Sequence, residues 1–129
     1  MGGRLVFDGD CGFCTRCVSW LGRLDRGSRV DTRPLQMPGA PESVLSTRAE
    51  CLDSVQWLGE DGHPRSGAEA VNAALGVALQ TRLPLALYRI SARAQERVYR
   101  WVAANRSRLP GSTPHCRAHP DDCRHVVDP

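Results

Sequence analysis

The chain has 129 residues, 41% of them hydrophobic and 24% charged. That is one domain's worth of sequence with near-average composition, which excludes both a second core and a wholly disordered chain. The net charge of +3 is carried by arginines spread along the chain, and aromatics are only 5%, so neither a basic patch nor a stacking platform for nucleic acid is visible. No apolar run approaches the ~18 residues of a membrane span; Leu83 to Leu87 is the nearest.

All seventeen basic residues are arginine, a bias expected of a GC-rich, bacterial coding sequence. The N-terminus has no signal-peptide apolar region before Asp8, and Val6 stands where myristoylation needs Ser or Thr. A cytoplasmic location is the expectation. There, the six cysteines are better suited to catalysis or metal binding than to a disulfide scaffold.

In chain order, Arg4 to Phe7 reads as a buried strand ended by the turn Asp8-Gly9-Asp10. A helix follows, with Cys14, Cys17, Val18, Leu21 and Leu24 on one stripe and an end near Arg26-Gly27. Val30 to Leu35 alternates as a second strand. Pro38, Gly39 and Pro41 make a loop, and Glu42 to Glu50 reads as a short helix. Ser54 to Leu58 is a third strand, turning at Gly59-Glu60-Asp61-Gly62 into a short return strand, His63 to Arg65. Ser66 and Glu69 form a capping box, opening a helix with the stripe Ala68, Val71, Leu75 and Leu79. Pro84 suits the first turn of another helix. A longer one, about Ala92 to Ser107, carries Ala94, Val98, Trp101, Val102 and Asn105 on one side. The order β-α-β-(α)-β-β-α-α predicts a thioredoxin-like α/β fold, with a mixed sheet of about four strands flanked by helices. The expected division is a domain over residues 1–109 and an irregular or mobile tail over 110–129.

Cys11-Gly12-Phe13-Cys14 lies at the first strand-to-helix junction. Cysteines two residues apart can close a small disulfide. The helix N-terminus favours the thiolate of Cys11, which makes it the nucleophile. Cys14, one turn in, becomes the resolving thiol of a disulfide exchange. Zinc sites also use C-x-x-C but need a second ligand pair.

Phe7 to Cys14, followed by Val18 and Leu21, resembles the DCC family of thiol-disulfide oxidoreductases. The Asp and two Cys of that name match Asp8, Cys11 and Cys14. Looser matches are Pro34-Leu35-Gln36, Asp53-Ser54-Val55, Asp61-Gly62, Gly67 through Val71, and Tyr99 to Ala103 with Asn105-Arg106. The resemblance covers about residues 4 to 109. It implies a thioredoxin-like fold and an oxidoreductase role, and names no substrate. Two features depart from what it implies. The cis-proline usual in thioredoxin-like domains would fall near Ser54, where there is none. Cys17 and the cysteines of the tail lie outside the motif.

Around the pair, Asp8 either accepts a proton from Cys14 or simply belongs to the turn, with Asp10 capping the helix. A carboxylate there opposes the helix dipole. Gly12 and Phe13 set the geometry of the disulfide ring, and Phe13 either forms an apolar lip beside Cys11 or packs onto the helix. Cys17 invites an iron–sulfur reading, but the ferredoxin spacing wants Cys where Leu21 stands; a buried inert thiol is the expectation. Cys51 reads as a structural thiol. Cys116, His119, Cys123 and His125, with His115 nearby, leave three readings open: a zinc site, a Cys116–Cys123 disulfide, or an unstructured segment. Trp20, Trp57 and Trp101 are expected in the core. Arg16 and Arg65 either bring charge to the cysteines or are solvated.

The expectation is a thiol–disulfide oxidoreductase with Cys11, Cys14 and Asp8 as its chemistry and Asp10, Gly12, Phe13 and Ser54 shaping the site. It needs no bound cofactor, since the dithiol carries two electrons. Its partners are a protein or low-molecular-weight disulfide and an external thiol reductant, with no nucleic acid and no membrane. The alternatives are a zinc-binding or interaction module, and a thiol peroxidase using Cys11.

Overall fold

The computed structural model describes residues 2–123. It contains strands β1 (Gly3–Phe7), β2 (Val30–Pro34), β3 (Gln56–Gly59) and β4 (Pro64–Ser66). The helices are α1 (Gly12–Leu24), α2 (Ala40–Ser43), α3 (Arg48–Asp53), α4 (Gly67–Leu79), α5 (Leu83–Asn105) and α6 (His115–Ala118), followed by a 3-10 turn, Pro120–Cys123. The sheet order is β2-β1-β3-β4, with β1 parallel to β2 and antiparallel to β3, and β3 antiparallel to β4. This is the expected mixed, thioredoxin-like arrangement.

Alternation along β1 divides the core. Leu5 faces one side, where Leu21 of α1, Trp57 and the alanines of α4 pack; Val6 faces the other, with Leu35, Ala40, Val44 and Cys51. Cys51 is thus a buried core thiol, as expected. Trp57, only 2% exposed, is the largest side chain of the interior and lies against the Gly3 and Gly59 backbone.

Several expectations are corrected. The single helix expected over residues 42–50 is two, α2 and α3. Thr47 and Glu50 form a reciprocal capping box that starts α3 afresh. Ser66 is the N-cap of α4, but its side chain makes no cap hydrogen bond, and Glu69 pairs instead with Arg65 Nε at 3.3 Å. The buried face of α4 is its small face, Gly67, Ala68, Ala70, Ala73, Ala74, Gly76 and Ala78, while Val71 and Leu79 are exposed. Small residues let α4 approach both the sheet and α5. α5 runs as two helical halves across a break at Ser91 (φ −131°, ψ 23°). Its expected apolar stripe stays out of the core: Trp101 is 61% exposed, Val98 is exposed too, and Val102 is half-buried. Trp20 is likewise 52% exposed, under Arg16 at 5.1 Å, so only one of the three tryptophans is in the core.

The tail is irregular to Pro114 and then forms α6 and the 3-10 turn, joined by a Cys116–Cys123 disulfide. Of the three readings left open for it, the disulfide is the one present. His125 lies outside the described residues. No helix among the described residues is long and apolar enough to cross a membrane.

Candidate redox site

The tight turn between β1 and α1 brings the sequence motif to one point. Cys11, not Asp10, is the N-cap of α1: its backbone is extended, and its Sγ accepts from Cys14 N–H at 3.2 Å. A thiol thus occupies the place of a capping oxygen, facing the unpaired N–H groups of the first turn. Cys11 and Cys14 approach to 2.8 Å, close enough for a disulfide to join them. The Cys14 thiol is pushed from 9.0 up to about 12, first by burial, then by its hydrogen bond to Cys11 and by the Cys11 charge; Arg106 opposes the rise.

Arg106 is the residue that sequence reasoning missed as a site residue. It stands just past α5, and its Nη1 donates to Cys14 Sγ at 3.4 Å while its Nη2 pairs with Asp8 Oδ2 at 2.8 Å. Arg106 therefore stands between Asp8 and Cys14. Asp8, at 9% exposure, uses its other oxygen to accept from Asp10 N–H (3.0 Å) and Gln36 Nε2 (2.9 Å). Both carboxylate oxygens are engaged, as a buried charge requires. Asp10 is exposed and accepts from Gln36 Nε2 at 3.2 Å. Gln36 also receives the Gly9 N–H on Oε1 at 3.0 Å, and so ties the turn to the end of β2. The one signal for Arg106 and Gln36 in the sequence was their place in the looser family matches.

Two hollows flank the pair. One, about 430 Å³, is lined by Cys11, Gly12, Arg106, Leu109 and Ser112. The other, about 620 Å³, is an apolar groove beside Cys14, lined by Phe13, Cys17, Leu21, Leu75, Tyr99 and others. Phe13 lines both, between the two cysteines' surroundings. Ser54 lines the groove at the C-cap of α3 and accepts from Gln56 Nε2 at 3.1 Å. The adjacent Val55 N–H donates to the Tyr99 hydroxyl at 2.9 Å, which holds α5 across the site. Cys17 is not the buried thiol expected. It is exposed at the groove, and partial burial with the Cys11 charge raises its thiol. Arg16 and Arg65 are engaged elsewhere, on Trp20 and on Asp61 and Glu69.

The tail covers one edge of the motif. Ser112 N–H donates to Gly12 O at 3.1 Å, His115 N–H to Thr15 Oγ1 at 3.1 Å, and Cys116 N–H to Gly9 O at 3.0 Å. Gly12 is needed here: a Cβ on it would meet the Ser112 carbonyl at 2.5 Å. Gly111 in turn lies directly on the Gly12–Phe13 backbone. Among the described residues no three metal-ligating side chains gather in one place.

Comparison with known protein families matches residues 5–112 to the model described as DCC1-like thiol-disulfide oxidoreductase. No curated protein and no solved structure matches the chain.

Proposed function

The chain belongs to the DCC1-like thiol-disulfide oxidoreductase family, and from that premise we propose that it exchanges disulfides through Cys11 and Cys14. The observation that carries the reading is the Cys11 sulfur at the start of α1, accepting the Cys14 N–H. Cys11 thiolate attacks one sulfur of a substrate disulfide. The Cys11–substrate bond forms, the substrate S–S bond breaks, and the other half leaves as a thiolate. Cys14 then gives up its proton and attacks Cys11 Sγ. The second substrate thiolate leaves, takes a proton, and the Cys11–Cys14 disulfide remains. Two external thiols, attacking in turn through a mixed disulfide, return two electrons, reopen it and leave as their own disulfide. The substrate is a protein or a low-molecular-weight disulfide.

The second step asks a thiol held high by burial to ionise. Arg106 is placed to stabilise that developing charge, and Asp8 holds Arg106 there. Asp8 acts through Arg106 and is a positioning residue. Gly12 and Phe13 set the ring, Asp10 and Gln36 hold the turn, and Ser54 shapes the far wall. The test is trapping. Cys14→Ser, offered a disulfide-bonded peptide or oxidised glutathione, accumulates one adduct on Cys11, and wild type does not. Adducts on Cys17 in its place, or none, contradict the reading.

A further inference from the structure

Helix α5 presents three faces. One is tethered inward, by Gln95 to Asn72, Glu96 to Ala68 N–H and Tyr99 to Val55 N–H. The second is an apolar row, Leu83, Leu87, Ile90, Ala94, Val98 and Trp101. Leu83, Leu87 and Ile90 share one face of the half before the break at Ser91, and Ala94, Val98 and Trp101 share one face of the half after it; all six are exposed. Ile90 is the extreme, at 83%. The third lies one position earlier: Arg82, Arg89, Arg93, Arg97 and Arg100, all exposed. Among the described residues, no ion pair involves any of these five. The single acidic residue of α5, Glu96, is turned inward and accepts from the Tyr88 hydroxyl at 2.6 Å.

An apolar row of this length left in water marks a surface that something covers. The arginine row says what. A helix with arginines along one edge and Leu, Ile, Val and Trp along the next lies in the plane of a membrane interface. The apolar side chains enter the acyl boundary, the indole sits at headgroup depth, and the arginine stems reach back to lipid phosphates. We infer that α5 docks this protein, lying flat, on an anionic bilayer surface. A second copy fits less well. A symmetric antiparallel pairing through the apolar row sets both arginine rows on the same edge, like charge against like. A nucleic acid meets the arginines but leaves Ile90 and Trp101 in water. The inference departs from the sequence expectation of no membrane partner. That expectation rested on the missing span, whereas a surface helix needs none. It is independent of the thiol chemistry, since neither Cys11 nor Cys14 takes part. Ala94 and Val98 also line the groove beside Cys14, so docking sets that groove next to the bilayer.

The test floats the full chain with vesicles of phosphatidylcholine, alone or mixed with phosphatidylglycerol. Binding is expected to the mixed vesicles, weakening as salt rises. Replacing Arg93, Arg97 and Arg100 together by Gln lowers the affinity roughly a hundredfold, about fivefold for each arginine near an anionic surface. Ile90→Asp with Trp101→Asp abolishes it. The milder pair Ile90→Asn and Trp101→Gln, checked by circular dichroism, gives the same loss without dependence on how the acidic pair folds. Three results overturn the inference. One is flotation that ignores phosphatidylglycerol or both sets of variants. Another is a dimer that Ile90→Asp dissociates, with no vesicle binding. The third is tighter binding to a duplex oligonucleotide than to vesicles.

Discussion

Arg106 links the two halves of the site, touching both the half-buried thiol and the buried carboxylate. Its contact to Cys14 strengthens only as that thiol ionises, so it belongs to the resolving step. A hydrogen bond to a charged group contributes about 1.5–3 kcal/mol. Arg106→Met should therefore lengthen the life of the Cys11 mixed disulfide roughly tenfold to a hundredfold in single turnover, with Arg106→Lys recovering part of the loss. The rate of Cys11 alkylation should change much less. An equal loss in both steps would instead mean that the guanidinium only holds the fold. Cys14 also carries a pH signature. Its thiol stays neutral in the folded chain up to about 12 but ionises near 9.0 once unfolded. Unfolding then releases a proton, so stability falls as pH rises from about 9 toward 12. Urea midpoints at pH 8 and 10.5 under reductant should show that fall, and Cys14→Ala should flatten it. Cys17, Cys51 and Tyr99, raised chiefly by burial, and Tyr88, raised to about 12 chiefly by its bond to Glu96, keep some slope in the variant. The cysteine pair was legible because it is local: two residues apart, after a strand, opening a helix. Arg106 was not, because 92 residues separate it from Cys14 and no local pattern marks an arginine that turns inward.

At the scale of elements, the tail and α4 show where periodicity misleads. Reading α4 by its large residues selects Val71 and Leu79, which are exposed, while the alanine face is buried. Hydrophobicity ranks a leucine above an alanine, but close approach of helix to sheet selects the smaller one. Ala74→Leu, at a position 1% exposed, should cost about 1–3 kcal/mol in chemical denaturation. A cost near zero would mean that α4 shifts freely. The stripe read along α5 is real but does not enter the core: Val98 and Trp101 are exposed, and Ala94, Val98 and Val102 line the groove beside Cys14, because polar side chains tether the inward face and no apolar pattern records them. The tail looked unable to bury anything. It is fastened instead by backbone hydrogen bonds to Gly9 and Gly12 and by the Cys116–Cys123 disulfide. A loop of that length is worth about 2.5 kcal/mol by chain entropy. Replacing both cysteines by Ala should loosen the segment over Gly12 and speed alkylation of Cys11, counted by mass. An unchanged rate would show that the strap does not limit access.

For the whole molecule, the succession of strands and the mixed sheet were legible, since each strand carried its own local signal and the order of types limits the topology; the helix count was not, because α2, α3 and α6 are each too short to carry a periodic stripe. Which elements close over the motif was not, because that depends on contacts between residues far apart in sequence. The assembled picture is a thioredoxin-like domain whose first turn, covered on one edge by its tail and open on the other to an apolar groove, holds a dithiol beside a buried Asp8 paired with a half-buried Arg106. The most direct test is a titration of wild-type protein in glutathione buffers of graded potential, with thiols alkylated and counted by mass and mapped by peptide. One reversible two-electron transition joining Cys11 to Cys14 is expected. Cys51 should stay alkylatable only after unfolding, and Cys116–Cys123 should titrate separately. If Cys11 and Cys14 remain reduced throughout, or become reactive only when a chelator is added, the pair does not exchange disulfides.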